Sequence, residues 1–234
     1  MKTASGGAVW IRALRLPFLS ASVLPFLVGS RLAAGEVRVL PLILGLSCVA
    51  GTHLGANMIN DYADSRSGAD WRDRRYYGFF GGSKLIQEGV LSERFYLRAA
   101  SLFFALGAGS ALALAWIQQR ILILLAYGLI GFLAWSYSQP PLRLAYRRLG
   151  EAAVFLLFGP ALVVGGAYLQ TGIFADARSV LVSLPLGLLT VAILYANEVP
   201  DYPDDATSGK ATGIGWSGPA QAYAVYAAIN GAAF

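Results

Sequence analysis

The stretch LPLILGLSCVAGTHLGANMIN, residues 40–60, runs without a single Asp, Glu, Lys or Arg and then opens directly into Asp61-Tyr62-Ala63-Asp64. Twenty-one uncharged, largely apolar residues match the length of about 20 that a helix needs to cross the hydrocarbon core of a bilayer. A carboxylate pair at the end of such a run marks the place where the chain leaves the apolar phase. Ionisable groups at that depth cost about 2.5–3.5 kcal/mol each on insertion scales unless they face a bundle interior or a watery cavity.

Outward from this segment the rest of the chain follows suit. Apolar runs recur at 16–34, 92–118, 121–137, 152–168 and 181–197, and a seventh begins near Pro219. Of the 234 residues, 56% are hydrophobic and 13% charged, with mean hydropathy +0.57, whereas soluble domains carry about 25% charged residues. The reading is an all-α, polytopic transmembrane bundle of about seven spans within a single domain, 1–234. The spans place the N-terminus and the segments 61–98, 138–151 and 198–217 on one side of the bilayer. That side holds fourteen Lys and Arg, among them Lys2, Arg12, Arg15 and Arg98, against Arg31, Arg38, Arg120 and Arg178 on the other. The excess of cations makes the first side cytoplasmic. The pI near 9.4 therefore reports topology and not nucleic-acid binding, since no soluble reading domain accompanies it. Cys48, the sole cysteine, lies within a span and excludes an internal disulfide.

The chemistry-bearing residues cluster on the cation-rich side. Asn57, Asn60, Asp61 and Asp64 follow i, i+3, i+4, i+7 spacing, which lines one stripe if the helix persists. The end of the sixth run repeats the pattern: Asn57, Asp61, Tyr62 and Asp64 have counterparts Asn197, Asp201, Tyr202 and Asp204 at the same offsets. Matched polar clusters closing two spans at one face suit a shared site in a pseudo-symmetric bundle. Pro200 and Pro203 argue against a continuous helix through the second cluster. Carboxylates brought together raise one another's pKa values, and a hard divalent cation, Mg²⁺ or Ca²⁺, resolves the repulsion; Mg²⁺ is commonly held by few carboxylates plus substrate phosphates. Taken alone, each cluster also admits a second, less favoured reading as a polar loop just past the membrane surface.

Lys84 in Gly81-Gly82-Ser83-Lys84, Arg143 in Ser138-Gln-Pro-Pro-Leu-Arg143 and Lys210 in Ser208-Gly209-Lys210 are the cations suited to phosphate. Arg147 and Arg148 read as topology markers. His53, one turn before Asn57, reads first as a packing residue. Tyr137, Tyr62 and Tyr202 stand at span ends where interfacial aromatics are expected, although a ring facing a cavity also stabilises a carbocation.

Taken together, Asn60-Asp-Tyr-Ala-Asp64-Ser-Arg-Ser-Gly68-Ala-Asp70 and Asn197-Glu-Val-Pro-Asp201-Tyr-Pro-Asp-Asp205 resemble the two aspartate-rich motifs of the UbiA-type intramembrane prenyltransferases. Gly81-Gly-Ser-Lys84 and Tyr137-Ser-Gln-Pro-Pro-Leu-Arg143 are similar to connecting segments of its 1,4-dihydroxy-2-naphthoate branch in menaquinone synthesis. The resemblance implies transfer of a polyprenyl group from its diphosphate to an aromatic acceptor. It implies Mg²⁺ held by Asn60, Asp61, Asp64, Asp70, Asn197, Asp201 and Asp205, with Arg15, Lys84, Arg143 and Lys210 on the diphosphate. Asn57, Asn60, Tyr137 and Asn197 would line the substrate pocket, while Asp64, Asp201, Lys84 and Arg143 would carry catalysis. It implies an inner-membrane enzyme of bacterial type with its site facing the cytoplasm. The family pattern has nine spans and an Arg-Leu-Gly run where this chain reads Gly213-Ile-Gly-Trp-Ser-Gly218, so the expectation is a domain incomplete at its C-terminus. Other acceptors of the family (4-hydroxybenzoate, homogentisate, a glycerol phosphate) remain open, as does an ion-coupled carrier. Nothing in the sequence sets an oligomeric state.

Overall fold

The computed structural model describes residues 6–32 and 35–234. Lys2 and the end of the first apolar run at Ala34 lie outside them. The helices are α1 (Gly6–Ala13), α2 (Ser20–Leu32), α3 (Val39–Ser67), α4 (Glu93–Gln118), α5 (Ile121–Ser136), α6 (Gly150–Phe158), α7 (Pro160–Thr171), α8 (Ala177–Thr207), α9 (Gly213–Ser217) and α10 (Ala222–Gly231). Among the described residues there is no strand, only a single bridge between Arg147 and Ala211.

Four units are long and apolar enough to cross a bilayer: α3, α4, the pair α6 and α7 read as Gly150–Thr171, and α8. A fifth forms if Gly6–Ala13 and Leu16–Leu32, bent by 46° at their junction, count as one. The remaining two expected spans are shorter. At 16 residues α5 is about 24 Å long, less than a hydrocarbon core of about 30 Å, and α10 has ten residues.

Local signals set the ends. Ser92 accepts the Phe95 amide at 3.1 Å to begin α4, and Asp176 accepts the Ser179 amide at 3.1 Å to begin α8. Gly68 closes α3 with φ 90°, a left-handed turn that glycine adopts without penalty. The sequence expectation that prolines break the second acidic segment is corrected here: α8 runs unbroken through Pro185, Pro200 and Pro203 to Thr207. Each proline removes one amide donor, yet a helix packed against α6, α7 and α10 keeps its course. The acidic residues that the sequence placed in a loop are thus the last helical turns of α8. Asn197, Asp201, Asp204 and Asp205 recur at helical spacing, as Asn57, Asn60 and Asp64 do on α3.

Close crossings hold the bundle together, chiefly α3 on α4, α2 on α7, and α6 on α8. Little drives helices together in lipid except packing, and small residues permit it. A Cβ on Gly51 of α3 would stand 2.6 Å from the Phe103 carbonyl oxygen and 2.9 Å from the Gly107 nitrogen of α4. One on Gly159 would stand 2.6 Å from the Ser183 carbonyl oxygen of α8. Outward, Leu102, Leu106, Leu112, Leu125 and Leu129 are exposed, as lipid-facing side chains would be.

The ends of the bundle are fastened differently. At one, Gln118 donates to the Leu169 carbonyl at 3.1 Å, and Gln170 accepts the Arg38 amide at 2.8 Å. At the other, Ser65 donates to Glu93 at 2.9 Å and Arg72 pairs with Asp204 at 3.3 Å, so α3, α4 and α8 present their polar ends together. Gly51→Val is expected to destabilise the bundle by about 1–3 kcal/mol, read as earlier thermal unfolding in detergent. Gly109→Ala, whose Cβ meets nothing within 4 Å, is expected to leave the midpoint unchanged or raised. Equal midpoints for the two variants would contradict the close α3–α4 crossing.

Candidate active site

A cavity of about 360 Å³ opens at the polar end and extends between the helices toward an apolar interior. Asp64 and Asp70 from the α3 side, Asp201 and Asp205 from α8, and Lys84 and Lys210 from the connecting segments all line it. Asn57, Asn60, Tyr137, Asn197 and Arg15 line it too, whereas Asp61 and Arg143 do not.

Lys210 joins the two motifs. Its ammonium lies 3.5 Å from Asp64 Oδ2 and 3.4 Å from Asp205 Oδ1. Burial alone would lower the pKa of Lys210, but Asp64 and Asp205 more than offset it and hold the group well above its ordinary value. Tyr146 donates its hydroxyl to Asp64 Oδ1 at 2.6 Å, and burial, with the same carboxylate beside it, raises its phenol.

The segment 68–92 folds back over this end. Lys84 is buried and donates to Asp70 Oδ1 at 2.8 Å. The Gly81 amide donates to Asp201 Oδ2 at 3.1 Å, and the Ser83 amide to Asp61 Oδ2 at 3.3 Å. One short loop therefore touches both acidic motifs. Gly82 has φ 72°, and a Cβ there would stand 2.9 Å from Asp70 Oδ2 and 3.3 Å from Asp61 Oδ1. Glycine is required at this point for conformation and for space. Deeper along α3, Arg15 donates to Asn60 Oδ1 at 3.2 Å, and Asn60 donates to Ser138 Oγ at 3.0 Å.

Five carboxylates (Asp61, Asp64, Asp70, Asp201 and Asp205) face three cations (Arg15, Lys84 and Lys210), and Asp204 and Glu198 line the same cavity, so acidic groups outnumber basic ones. Asp70 shows the strain of this arrangement: burial, then the neighbouring Asp64, pushes its carboxyl up to about 7 despite Lys84. Asp61 Oδ1 is buried without a hydrogen-bond partner. Among the described residues no group of three Asp, Glu, His or Cys closes a metal site by itself. The hard oxygen donors that do face the cavity, Asp64, Asp70, Asp201 and Asp205, with negative charge in surplus, nevertheless fit Mg²⁺, which takes one or two carboxylates and completes its shell with phosphate oxygens and water.

The profile of the UbiA prenyltransferase family matches residues 22–234. The chain belongs to the UbiA prenyltransferase family. It is 32% identical over 208 residues to the 1,4-dihydroxy-2-naphthoate octaprenyltransferase of Mycobacterium tuberculosis, a match covering 88% of this chain and 68% of that protein. It is 27% identical over 213 residues to the 2-carboxy-1,4-naphthoquinone phytyltransferase of Synechocystis, covering 88% and 65%. The chain thus spans about two thirds of the length of these curated relatives. In fold it is similar to a UbiA homolog from Archaeoglobus fulgidus bound to GPP and Mg²⁺, with TM-score 0.74 at 19% identity over 96% of this chain and 75% of that one.

Within this UbiA-family cavity the sequence-derived set divides. The stripe on α3 turns Asn57, Asn60 and Asp64 to the cavity. Asp61 sits behind them, buried, 3.7 Å from Arg15. Arg143 lies with its guanidinium 4.0 Å from the Tyr146 ring centroid, so it braces the residue that bonds Asp64 and leaves the wall to others. Glu198 was missed as a site residue. It is buried, lines the cavity with one oxygen unpartnered, and stands among acids that include Glu151, whose Oε1 accepts the Gly213 amide at 2.5 Å. Its signal was available: a second ionisable residue, next to Asn197, within the same span end. Tyr146, outside both motifs, carried none.

The demand for glycine at position 82 separates collision from backbone strain. Gly82→Ala is expected to weaken binding of geranyl diphosphate about tenfold or more, since the added methyl and the strained φ, worth about 1–2 kcal/mol, both fall on the Asp70 carboxylate. Gly78→Ala, at φ 91° with nothing within 4 Å, carries strain alone and is expected to bind within about twofold of the parent. Equal losses in the two, measured by equilibrium binding in detergent, would contradict the placement of this loop.

Proposed function

We propose that this chain transfers a polyprenyl group from polyprenyl diphosphate to an aromatic acceptor of the 1,4-dihydroxy-2-naphthoate type, with Mg²⁺, at the cytoplasmic face of a bacterial inner membrane. The observation that carries the reading is the meeting of two acidic helix ends, from α3 and α8, around Lys210 at the mouth of one apolar cavity. A diphosphate needs concentrated positive charge, and a prenyl tail needs a dry chamber. The dry chamber is present, and at its mouth Lys84, Lys210 and Arg15 stand among carboxylates whose surplus negative charge suits a divalent cation that would come with the diphosphate. The names of the curated relatives support a naphthoate acceptor.

Asp64, Asp70, Asp201 and Asp205, with Asn60 and Asn197 beside them, would hold Mg²⁺; when bound, it supplies positive charge to the departing diphosphate. Lys84 and Lys210 stand among these carboxylates and are placed to exchange them for diphosphate oxygens, with Arg15 at the next level down. The allylic C–O bond breaks, its electron pair leaves with the diphosphate, the electron-rich ring carbon attacks the allylic cation, and the attacked carbon then gives up its proton to the released diphosphate or to water at the mouth. The preorganised cations stabilise the charge on the leaving oxygen. The apolar walls, among them Leu157, Leu162 and Ile193, keep water from the cation, and the Tyr137 ring at the cavity wall can face it.

An ion-coupled carrier would place its carboxylates near the bilayer midplane. Here Asp61, Asp64, Asp201 and Asp205 occupy the last turns of their helices, which favours the enzyme. The count of fourteen cations against four supports the cytoplasmic orientation.

Membranes carrying the protein, given labelled farnesyl diphosphate and a panel of aromatic acceptors, are expected to form a prenylated product that EDTA abolishes and Mg²⁺ restores. Asp64→Ala and Asp201→Ala are each expected to lower the rate by about 100-fold or more, the scale of losing one electrostatic stabiliser of the transition state. Transfer to no acceptor, or undiminished transfer by both variants, would reject the proposal.

A further inference from the structure

Below the charged mouth, the cavity wall is mostly apolar, and polar side chains on it such as Thr52, Tyr127 and Thr190 spend their hydroxyls on partners within the protein; His53 is different, and the chemistry of the mouth does not use it. His53 lies on α3 eleven residues before Asp64, which puts it about 16 Å deeper at 1.5 Å per residue. It is 7% exposed and lines the cavity together with Ser22 and Phe158. Its Nδ1 lies 2.7 Å from Ser22 Oγ, so one ring nitrogen is engaged by α2. Phe158 meets the imidazole edge-on at a centroid distance of 5.9 Å and fixes its plane. The other nitrogen, Nε2, is buried and has no hydrogen-bond partner. A polar atom left in this state forfeits its hydration without recompense. Packing alone does not account for an imidazole held on one side by a hydroxyl, steadied by an aromatic ring and unmatched on the side left free.

The reading of this chain as a prenyltransferase, on which the inference rests, brings two ligands into the cavity. The prenyl chain is hydrocarbon and offers nothing to Nε2. The diphosphate belongs to the charged end, about three helical turns away. What remains is the aromatic acceptor, whose ring oxygens are polar and whose reacting carbon must sit directly beneath the diphosphate. Diphosphate, forming bond, ring and one hydrogen bond laid end to end fill the depth between Asp64 and His53. We infer that His53 Nε2 is the docking point for a ring hydroxyl of the aromatic acceptor, with Ser22 holding the imidazole in orientation. His53 is then a specificity-determining residue: it selects acceptors with an oxygen at the far side of the ring and turns the reacting carbon toward the mouth. Ser22 is a positioning residue that acts through it.

The test compares direct binding of two probes to the full chain in detergent, 1-hydroxy-2-naphthoate and 2-naphthoate, which differ only in the ring hydroxyl. The unaltered protein is expected to prefer the hydroxylated probe by about tenfold, the scale of one hydrogen bond to an otherwise unpaired buried group. His53→Leu is expected to erase the preference to within about twofold while affinity for geranyl diphosphate stays within about twofold, and Ser22→Ala to reduce it in part. His53→Gln, which restores a polar group, is expected to regain some of it. A preference that survives His53→Leu, no preference in the unaltered protein, or a parallel loss of geranyl diphosphate affinity would each overturn the inference. Failure of the prenyl-transfer reading has a separate signature, because it shows as absence of product from unaltered membranes whatever the probes bind.

Discussion

Two helices, far apart in the chain, end in carboxylates that would repel one another across the mouth of the bundle, and the structure depends on what holds them there. Lys210 does so directly, with one ammonium between Asp64 of α3 and Asp205 of α8. The loop over them acts in the same sense: Lys84 meets Asp70, while the Gly81 and Ser83 amides reach Asp201 and Asp61. Groups buried in this way are costly unless paired, and breaking a buried pair by deleting one partner commonly costs about 3–5 kcal/mol. The arrangement is stable as a set and poor as separate pieces. Such a cluster contributes little net stability compared with apolar packing, so its presence at the mouth of an apolar cavity points to work done on a charged ligand.

The bundle beneath supplies the opposite environment. Glycines at the α3–α4 and α6–α8 crossings bring backbones close, and the same walls that seal the helices to one another leave a dry space below the carboxylates. Charge concentrated at one end and hydrocarbon at the other give the cavity two unlike halves, as the proposed prenyl diphosphate would require. Tyr146 belongs to the first half, linking Arg143 on its ring face to Asp64 at its hydroxyl. Membership of the UbiA prenyltransferase family accords with this division of labour.

Much of this was legible before any coordinates, because a bilayer leaves the chain few options. Long uncharged runs must be helices, and acids at their ends must face water or one another, so α3 and a stripe through Asn57, Asn60, Asp61 and Asp64 followed from spacing, although Asp61 turns out to sit behind the three that reach the cavity. The extension of α8 to Thr207 was not legible. Local rules for Pro200 and Pro203 favour a break, and only the neighbouring helices override them. Loop 68–92 was readable as a carrier of Lys84 but not in its path, since the left-handed turns at Gly81 and Gly82 acquire meaning only beside Asp70 and Asp201. Arg143 was singled out by its motif, yet packing turns it onto Tyr146. Glu198 was readable as an ionisable residue beside Asn197, but its place on the cavity wall depends on how α8 is turned in the bundle. His53 could not be judged by residue type, because what distinguishes it is a vacant nitrogen in a cavity built by other helices.

The central claim is that the two acidic motifs form one ligand site, and a double-mutant cycle on Asp64 and Asp205 measures that directly. Geranyl diphosphate affinity in the presence of Mg²⁺ would be determined for the unaltered protein, Asp64→Asn, Asp205→Asn and the double variant. A shared site predicts that the double variant loses less than the two single losses combined, by about 1 kcal/mol or more. Losses that add to within about 0.5 kcal/mol, the behaviour of independent positions, would contradict it.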